Sequence, residues 1–566
     1  MKDTLPGSRS KPPSRLRLSS LILVLVAFIL TLIILAAASV NALTYPGDII
    51  GGPVWGLPIF VWIAVAALAA MSIFYRTPIV GTITIALFGV AIIGGLGYLE
   101  PLGVFHDTWQ NVGLGQLTMM PSQISAARQI PYVASSPVTF LFFGVLRSAF
   151  PDTPSFLRIY PTFCVFIYCA GLYELAVAFC DVNPDLHFLD HSRFGLLSVF
   201  AFFALAANLS VRVNPAPQSL AFALMPFCLA ALMKGAQHWR YRAVAVAIFI
   251  VIVFSHVITS IMIIALGLVW WGLDRLLYRR SSAPVFVSRN TAALYGSVFL
   301  GWLIYVGVWT LQTGKLFAQR IIEVINSGQH ATVTATVTEQ SEAFVWVHRV
   351  ALAGSAVLVL VGLILMLRAS QRAGIRLIAW LGVSSALLPF VFFGEFADRG
   401  PLFASLPAAL AVGFLLGRKG NRYGHWAASA LMLLATVTSF VTAYSSHIGE
   451  VLTEEEVTAF HVLVTQNPDQ WITYSYTLPF TGSDLPVYGL EHSRTFSLGA
   501  ADFSYQKLTS TPGIIVISEQ MRQAAAARGP QALAQLEQFE MQLQRDPHYE
   551  LVFNDGYIRA YRARQK

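Results

Sequence analysis

Charge is scarce in this chain. Of 566 residues only 12% are Asp, Glu, Lys or Arg, against 56% hydrophobic. Domains that live in water carry roughly a quarter charged residues. A wholly soluble protein is therefore excluded and a polytopic membrane protein implied, and the mean hydropathy of +0.63 agrees. Cysteine is scarce too. Cys164, Cys169, Cys180 and Cys228 all fall in apolar runs and none lies in the C-terminal tail, so no disulfide framework holds an external domain. Cys164-x-x-x-x-Cys169 inside an apolar segment reads as small core residues rather than metal ligands. A basic stripe is missing as well. The net charge is +8, but Lys and Arg sit in short clusters between apolar runs. That is a topology signal, and it argues against nucleic acid as a partner.

What the chain does have is a succession of apolar runs. Residues 1–18 are basic (Lys2, Arg9, Lys11, Arg15, Arg17) and precede an apolar run, Leu21 to Val40, too long for a signal-peptide core. They read as a cytoplasmic N-terminus before a retained first span. Residues 19–446 form the transmembrane domain. Threading the runs with the positive-inside rule gives about thirteen spans. Ser136 to Phe150 is too short to cross comfortably and is assigned as a re-entrant or juxtamembrane helix, with Arg147 and Arg158 as headgroup anchors. With that choice the richest basic clusters, such as Arg275, Arg279, Arg280 and Arg289, fall inside. Residues 100–156 then form an outer catalytic loop and residues 314–343 a second outer loop. Half-length runs that meet at Asn214-Pro215 and Ser255-His256 predict broken helices, which membranes tolerate where they line a cavity.

Residues 447–566 read as a soluble extracytoplasmic α/β domain. Thr453 to Gln466 is an amphipathic helix, Trp471 to Thr477 and Gly513 to Ser518 are strands, and Met521 to Gln544 is one long helix. Asn554-Asp555-Gly556 between alternating segments predicts a closing hairpin over Tyr549 to Tyr561. The tail holds no nucleophile motif, metal spacing or Gly-rich phosphate loop.

The ionisable residues gather at the outer boundary. His106, Asp107 and Trp109 follow an outgoing span, Gln218 follows Asn214-Pro215, His256 sits at a helix break, and Glu395, Asp398 and Arg399 precede an ingoing span. Charged groups at a membrane edge are functional candidates by default. A guanidinium fork suits a phosphate, and a carboxylate suits the proton of an attacking hydroxyl.

The stretches HDTW, SSPVTFLFFGVLRSAFPDTPSFLRIYP, NPAPQSLAFALMPFCLAALMKG, FSHVITS, EFADRGPLFASLP and YELVFNDGYIRAYR occur in an order that resembles the GT-C superfamily of polytopic glycosyltransferases. That superfamily includes oligosaccharyltransferase catalytic subunits, protein mannosyltransferases and lipid A aminoarabinose transferases. The resemblance implies a GT-C-like helical membrane fold with a polyprenyl-phosphate-linked sugar donor and a glycan, lipid or protein acceptor. It implies that Asp107 is the acidic residue of the first loop, as acceptor base or as ligand of a divalent cation (Mg²⁺ or Mn²⁺), and that Arg399 is a cation near the lipid phosphate. His106, Trp109, His256, Glu395 and Asp398 join it as candidate substrate-binding residues. Glu339 in TVTEQSE is similar to a mobile-loop acid of oligosaccharyltransferases. There are departures. Asp107 stands between His106 and Thr108 without a second acid, which puts the metal in doubt, and the tail has no Trp-Trp-Asp motif, which speaks against peptide sequon recognition. A first helical hairpin precedes the usual first loop. Two other classes stay open: a flippase or transporter of lipid-linked glycans, against which the lack of a clear internal repeat speaks, and a non-enzymatic scaffold in envelope assembly.

Overall fold

In lipid the backbone must satisfy its own hydrogen bonds, so each apolar run becomes a helix. The computed structural model describes residues 18–44, 57–75, 77–95, 106–120, 131–209, 211, 213–235, 238–277, 287–307, 315, 342–386, 399–418, 422–445, 454–466, 472–475, 494–495, 514–528 and 530–564. In chain order the helices are α1 (Leu18–Thr44), α2 (Ile59–Ile73), α3 (Pro78–Gly89, continued by a π-turn at Val90–Gly94), α4 (His106–Met119), α5 (Pro131–Ser135), α6 (Pro137–Ser148), α7 (Thr153–Asp181) and α8 (His191–Leu205). Then come α9 (Pro217–Gly235), α10 (Trp239–Val253), α11 (Val257–Leu277), α12 (Arg289–Tyr305), α13 (Glu342–Ala369), α14 (Gln371–Ser385), α15 (Arg399–Gly417) and α16 (Arg422–Ser445). Among the described residues seven of these are long and apolar enough to cross a membrane, and four shorter apolar helices accompany them.

Helices α8 and α15 form the centre. From Phe194 to Leu205 every residue of α8 is buried, and α15 is buried along most of its length. Small residues let them approach. A Cβ on Gly413 would strike Ser198 of α8, and one on Gly362 would strike the Ala411 backbone from α13. Close backbone contact of this kind drives association where lipid removes the hydrophobic force between helices. At the rim α1 leaves Leu21, Ile22, Leu25 and Phe28 exposed, as a lipid-facing helix should.

Polar groups in this core are tied to partners. Asn208, fully buried in the turn after α8, donates to Ser355 Oγ (3.2 Å) and Thr438 Oγ1 (3.3 Å) and accepts from Thr442 Oγ1 (3.2 Å). The far end of α11 holds an ionic knot. Asp274 accepts from Arg376 Nη2 at 2.5 Å and lies 3.9 Å from Arg372, while Arg376 Nη1 donates to Asn183 Oδ1 at 2.8 Å. Arg372 and Arg376 thus tie α14 to the end of α11. Arg147 stands in the last turn of α6. It joins α6 to α7 by donating to Thr153 Oγ1 (3.0 Å) and the Phe150 carbonyl (2.8 Å).

The tail opens with α17 (Glu454–Gln466) and builds a five-stranded sheet from β1 (Ile472–Ser475), β2 (Arg494–Thr495), β3 (Ile514–Ser518), β4 (Tyr549–Asn554) and β5 (Ile558–Ala563), in the order β2-β1-β3-β5-β4. The β1–β2 and β1–β3 pairs are parallel; β3–β5 and β4–β5 are antiparallel. Alternate residues of β3 face opposite ways. Ile515 and Ile517 pack on α18 (Glu519–Arg528) and α19 (Pro530–Arg545), whereas Ile514 and Val516 pack on Phe460 and Leu463 of α17. The expected single long helix is two, and Pro530 starts the second: proline lacks the N–H and suits a helix start. The hairpin turn lies at Asp555-Gly556, with Gly556 at φ +96°. Buried Glu540 collects Arg522, Arg559 (2.8 Å) and the Tyr561 hydroxyl (3.0 Å).

Candidate functional site

The candidate site is assembled from four helix ends. Helix α4 begins at His106, so HDTW is not an irregular loop: Asp107 stands on the first helical turn. The side chains of His106, Asp107 and Trp109 lie outside the described residues, as do Glu339, Glu395 and Asp398 altogether. Helix α6 packs against α4 at a glycine crossing. A Cβ on Gly144 would run into the Gly115 carbonyl, and one on Gly115 would lie 2.9 Å from the Gly144 nitrogen.

The start of α6 touches the helix break. Val138 N–H donates to the Phe254 carbonyl at 3.4 Å. Between α10 and α11 the chain turns at Phe254-Ser255-His256. Ser255 Oγ donates back to Val251 and Ser260 Oγ to the His256 carbonyl, so the turn satisfies its own backbone. His256 caps α11. Its Nδ1 lies 2.9 Å from Thr259 Oγ1 and 3.4 Å from the Thr259 nitrogen.

The other ring nitrogen meets Arg399, the first residue of α15. Arg399 Nη1 lies 3.3 Å from His256 Nε2. A guanidinium can only donate, so Nε2 must accept; the imidazole is then neutral and Nδ1 carries the proton toward Thr259. This joins two residues that are 143 positions apart in the sequence. A second turn precedes α9. Tyr160 OH pairs with Ser219 Oγ at 3.0 Å, and Ser219 Oγ donates to the Asn214 carbonyl at 2.5 Å, which fixes the Asn214-Pro215 turn before α9. The Tyr160 ring packs edge-on against Phe143 of α6 with centroids 5.7 Å apart. Gln218, near that turn, is half-buried.

A solved structure titled "Crystal Structure of ArnT from Cupriavidus metallidurans bound to Undecaprenyl phosphate" is similar to this chain. Identity is 13%, the match covers 89% of this chain and 97% of that one, and the TM-score is 0.43. No family model matches the chain, and no curated protein does.

The structure therefore brings together His256 and Arg399 directly, and joins them through α6 to the helix that carries His106, Asp107 and Trp109. Among the described residues no three His, Cys, Asp or Glu side chains gather as a ligand set for a metal ion. Sequence reasoning missed Asn111, one turn beyond Asp107 on α4. It is 2% exposed and its amide nitrogen meets no partner among the described residues. The signal was the i, i+4 spacing within HDTWQN, readable only once the segment is taken as a helix.

Proposed function

We propose that this protein is a membrane glycosyltransferase. It moves a sugar from a polyprenyl-phosphate-linked donor to an acceptor on the extracytoplasmic side, with inversion, in a single displacement. The observation that carries this reading is the Arg399–His256 pair at a helix break, linked through α6 to the first turn of α4. A half-buried guanidinium oriented by a neutral imidazole is a ready partner for a phosphate. A carboxylate on the adjoining helix is a ready base.

In this scheme the acceptor hydroxyl gives its proton to Asp107 as its oxygen attacks the anomeric carbon. The bond from that carbon to the phosphate oxygen breaks, and its electron pair leaves with the lipid phosphate. The phosphate gains charge in the transition state, and Arg399 stabilises it. A fixed cation placed where charge develops contributes a few kcal/mol, roughly. A positioned base contributes about 10²–10⁴-fold. His256 sets the angle of the guanidinium rather than touching the reacting carbon. An inverting displacement needs base and leaving group on opposite faces of the sugar ring, and α4 and α15 are separate elements able to supply them.

The test is Asp107→Asn in proteoliposomes, with radiolabelled polyprenyl-phosphoryl hexoses and pentoses as donors. We expect transfer to fall by about 10²–10⁴ with the melting temperature unchanged. Transfer at the wild-type rate in this variant would remove Asp107 from the scheme.

A further inference from the structure

Buried hydroxyls in this bundle usually bond back to their own helix. Thr31, Ser72, Thr84, Ser198, Ser355, Ser384 and Thr436 all donate to the carbonyl four residues earlier. That is the cheapest way for a Ser or Thr to enter a helix in lipid. Thr139 of α6 does not do so. It is fully buried, and its Oγ1 has no partner among the described residues. The same holds for Ser135 Oγ at the end of α5 and for Asn111 Nδ2 on α4, each 2% exposed. Three unsatisfied groups thus fall on α4, α5 and α6, the elements that connect the Asp107 turn to the His256 break. Thr162, Tyr168, Trp302, Trp380 and Ser429 are also unsatisfied, but they lie on α7, α12, α14 and α16, outside these connecting elements.

An amide or hydroxyl buried without a partner is costly and calls for a reason. A bound state that completes these groups supplies one. Their chemistry narrows the ligand: a carboxamide and two hydroxyls offer donors and acceptors and no charge. The one charged side chain described on α4, α5 and α6, Arg147, is committed to Thr153 and Phe150. A uronic acid would call for a counter-cation there, and the proposed base Asp107, one turn away on α4, would repel it.

We propose that Asn111, Ser135 and Thr139 bind the hydroxyls of a sugar that carries no carboxylate. Asn111 lies one turn from Asp107, which places that sugar beside the proposed base. The inference rests on the glycosyltransferase reading and extends it to a substrate class: hydroxyl-bearing pyranose or furanose rings without an acidic group. The sugar belongs either to the donor or to the acceptor, and the two sources are separable.

The experiment compares the wild-type protein with Asn111→Leu and Thr139→Val, both near in volume and both unable to hydrogen-bond. Thermal unfolding in detergent is read with no ligand, with undecaprenyl phosphate, with a panel of undecaprenyl-phosphoryl neutral sugars, and with undecaprenyl phosphate plus methyl glycosides. Transfer kinetics are read alongside. Without ligand, both variants should melt at or above the wild-type temperature, since each loses an unsatisfied group. Bare lipid should shift all three proteins alike. The additional shift from a sugar-bearing lipid (donor source) or from a glycoside (acceptor source) should vanish in both variants. KM for that sugar should rise about tenfold, with kcat within a few-fold. Marked destabilisation of both variants without ligand would show that the groups are satisfied internally and overturn the assignment. So would a sugar-dependent shift retained in both variants, and in that case wild-type transfer leaves the glycosyltransferase reading standing. If the wild-type protein neither shifts with nor transfers any member of the panel, both readings fall together.

Discussion

His256 shows how little a residue's identity says without its neighbours. In the sequence it is a histidine at a helix break, equally fit to cap or to bind. The structure makes it both a donor to Thr259 Oγ1 and an acceptor for Arg399. Glutamine can imitate that acceptor and leucine cannot. We therefore expect His256→Gln to keep kcat/KM within several-fold and His256→Leu to lose about 10- to 100-fold, roughly one charge-assisted hydrogen bond's worth. Transfer kinetics with one polyprenyl-phosphoryl sugar decide it; equal losses would show that the ring only fills space. Asp274 makes the opposite point. Its acid character was legible, but its role was not, because the partners Arg372 and Arg376 come from α14, about 100 residues away. Removing one member of a buried ion pair costs about 3–5 kcal/mol. Asp274→Asn should lower the melting temperature sharply, and a double variant with Arg376→Met should recover part of it. A neutral single variant would mean that water reaches the pair.

Helix α4 is the element that sequence reading placed but did not shape. Its position after the third span was clear, yet the topology read residues 100–156 as an outer loop. Gly115 serves the crossing of α4 with α6, where a side chain at 115 or 144 would push the helices apart. The start of α7 was more legible. Asp152 precedes Thr153-Pro154, a cap followed by proline in the first turn, and its carboxylate accepts from the Ser155 N–H at 2.7 Å. Hydrogen bonds from Ser155, side chain first and backbone second, hold its pKa below the ordinary carboxylate value. A depressed carboxylate stabilises the fold above its unfolded pKa and loses that contribution as pH falls through the folded value. Asp152→Ala should therefore cost about 1 kcal/mol at neutral pH. The melting-temperature gap to wild type should stay flat down to about pH 5 and close below about pH 4. A gap that persists in stronger acid would mean the cap acts through shape rather than charge.

The molecule as a whole has two polar ends, and α11 measures the distance between them. His256 stands just before its first turn and Asp274 near its last, about 27 Å apart at about 1.5 Å per residue. That is close to the thickness of a bilayer's hydrocarbon core, about 30 Å. Helix boundaries throughout the bundle were readable because lipid demands uninterrupted apolar helices. Tertiary pairings such as Arg399 with His256 were not, because periodicity carries no information about which helix ends meet. The expected orientation, read from the basic clusters, puts the His256 end and the tail outside the cell. Single-cysteine variants test it directly, since three of the four native cysteines are buried and the fourth is partly so. Leu551→Cys lies on an exposed tail strand and Tyr423→Cys at the exposed start of α16, which the threading puts in the cytoplasm. In intact cells a membrane-impermeant maleimide should label the first and spare the second, with both labelled after lysis. The reverse pattern would turn the bundle over, carry the Arg399–His256 pair to the cytoplasmic face, and require a donor presented on the inner leaflet.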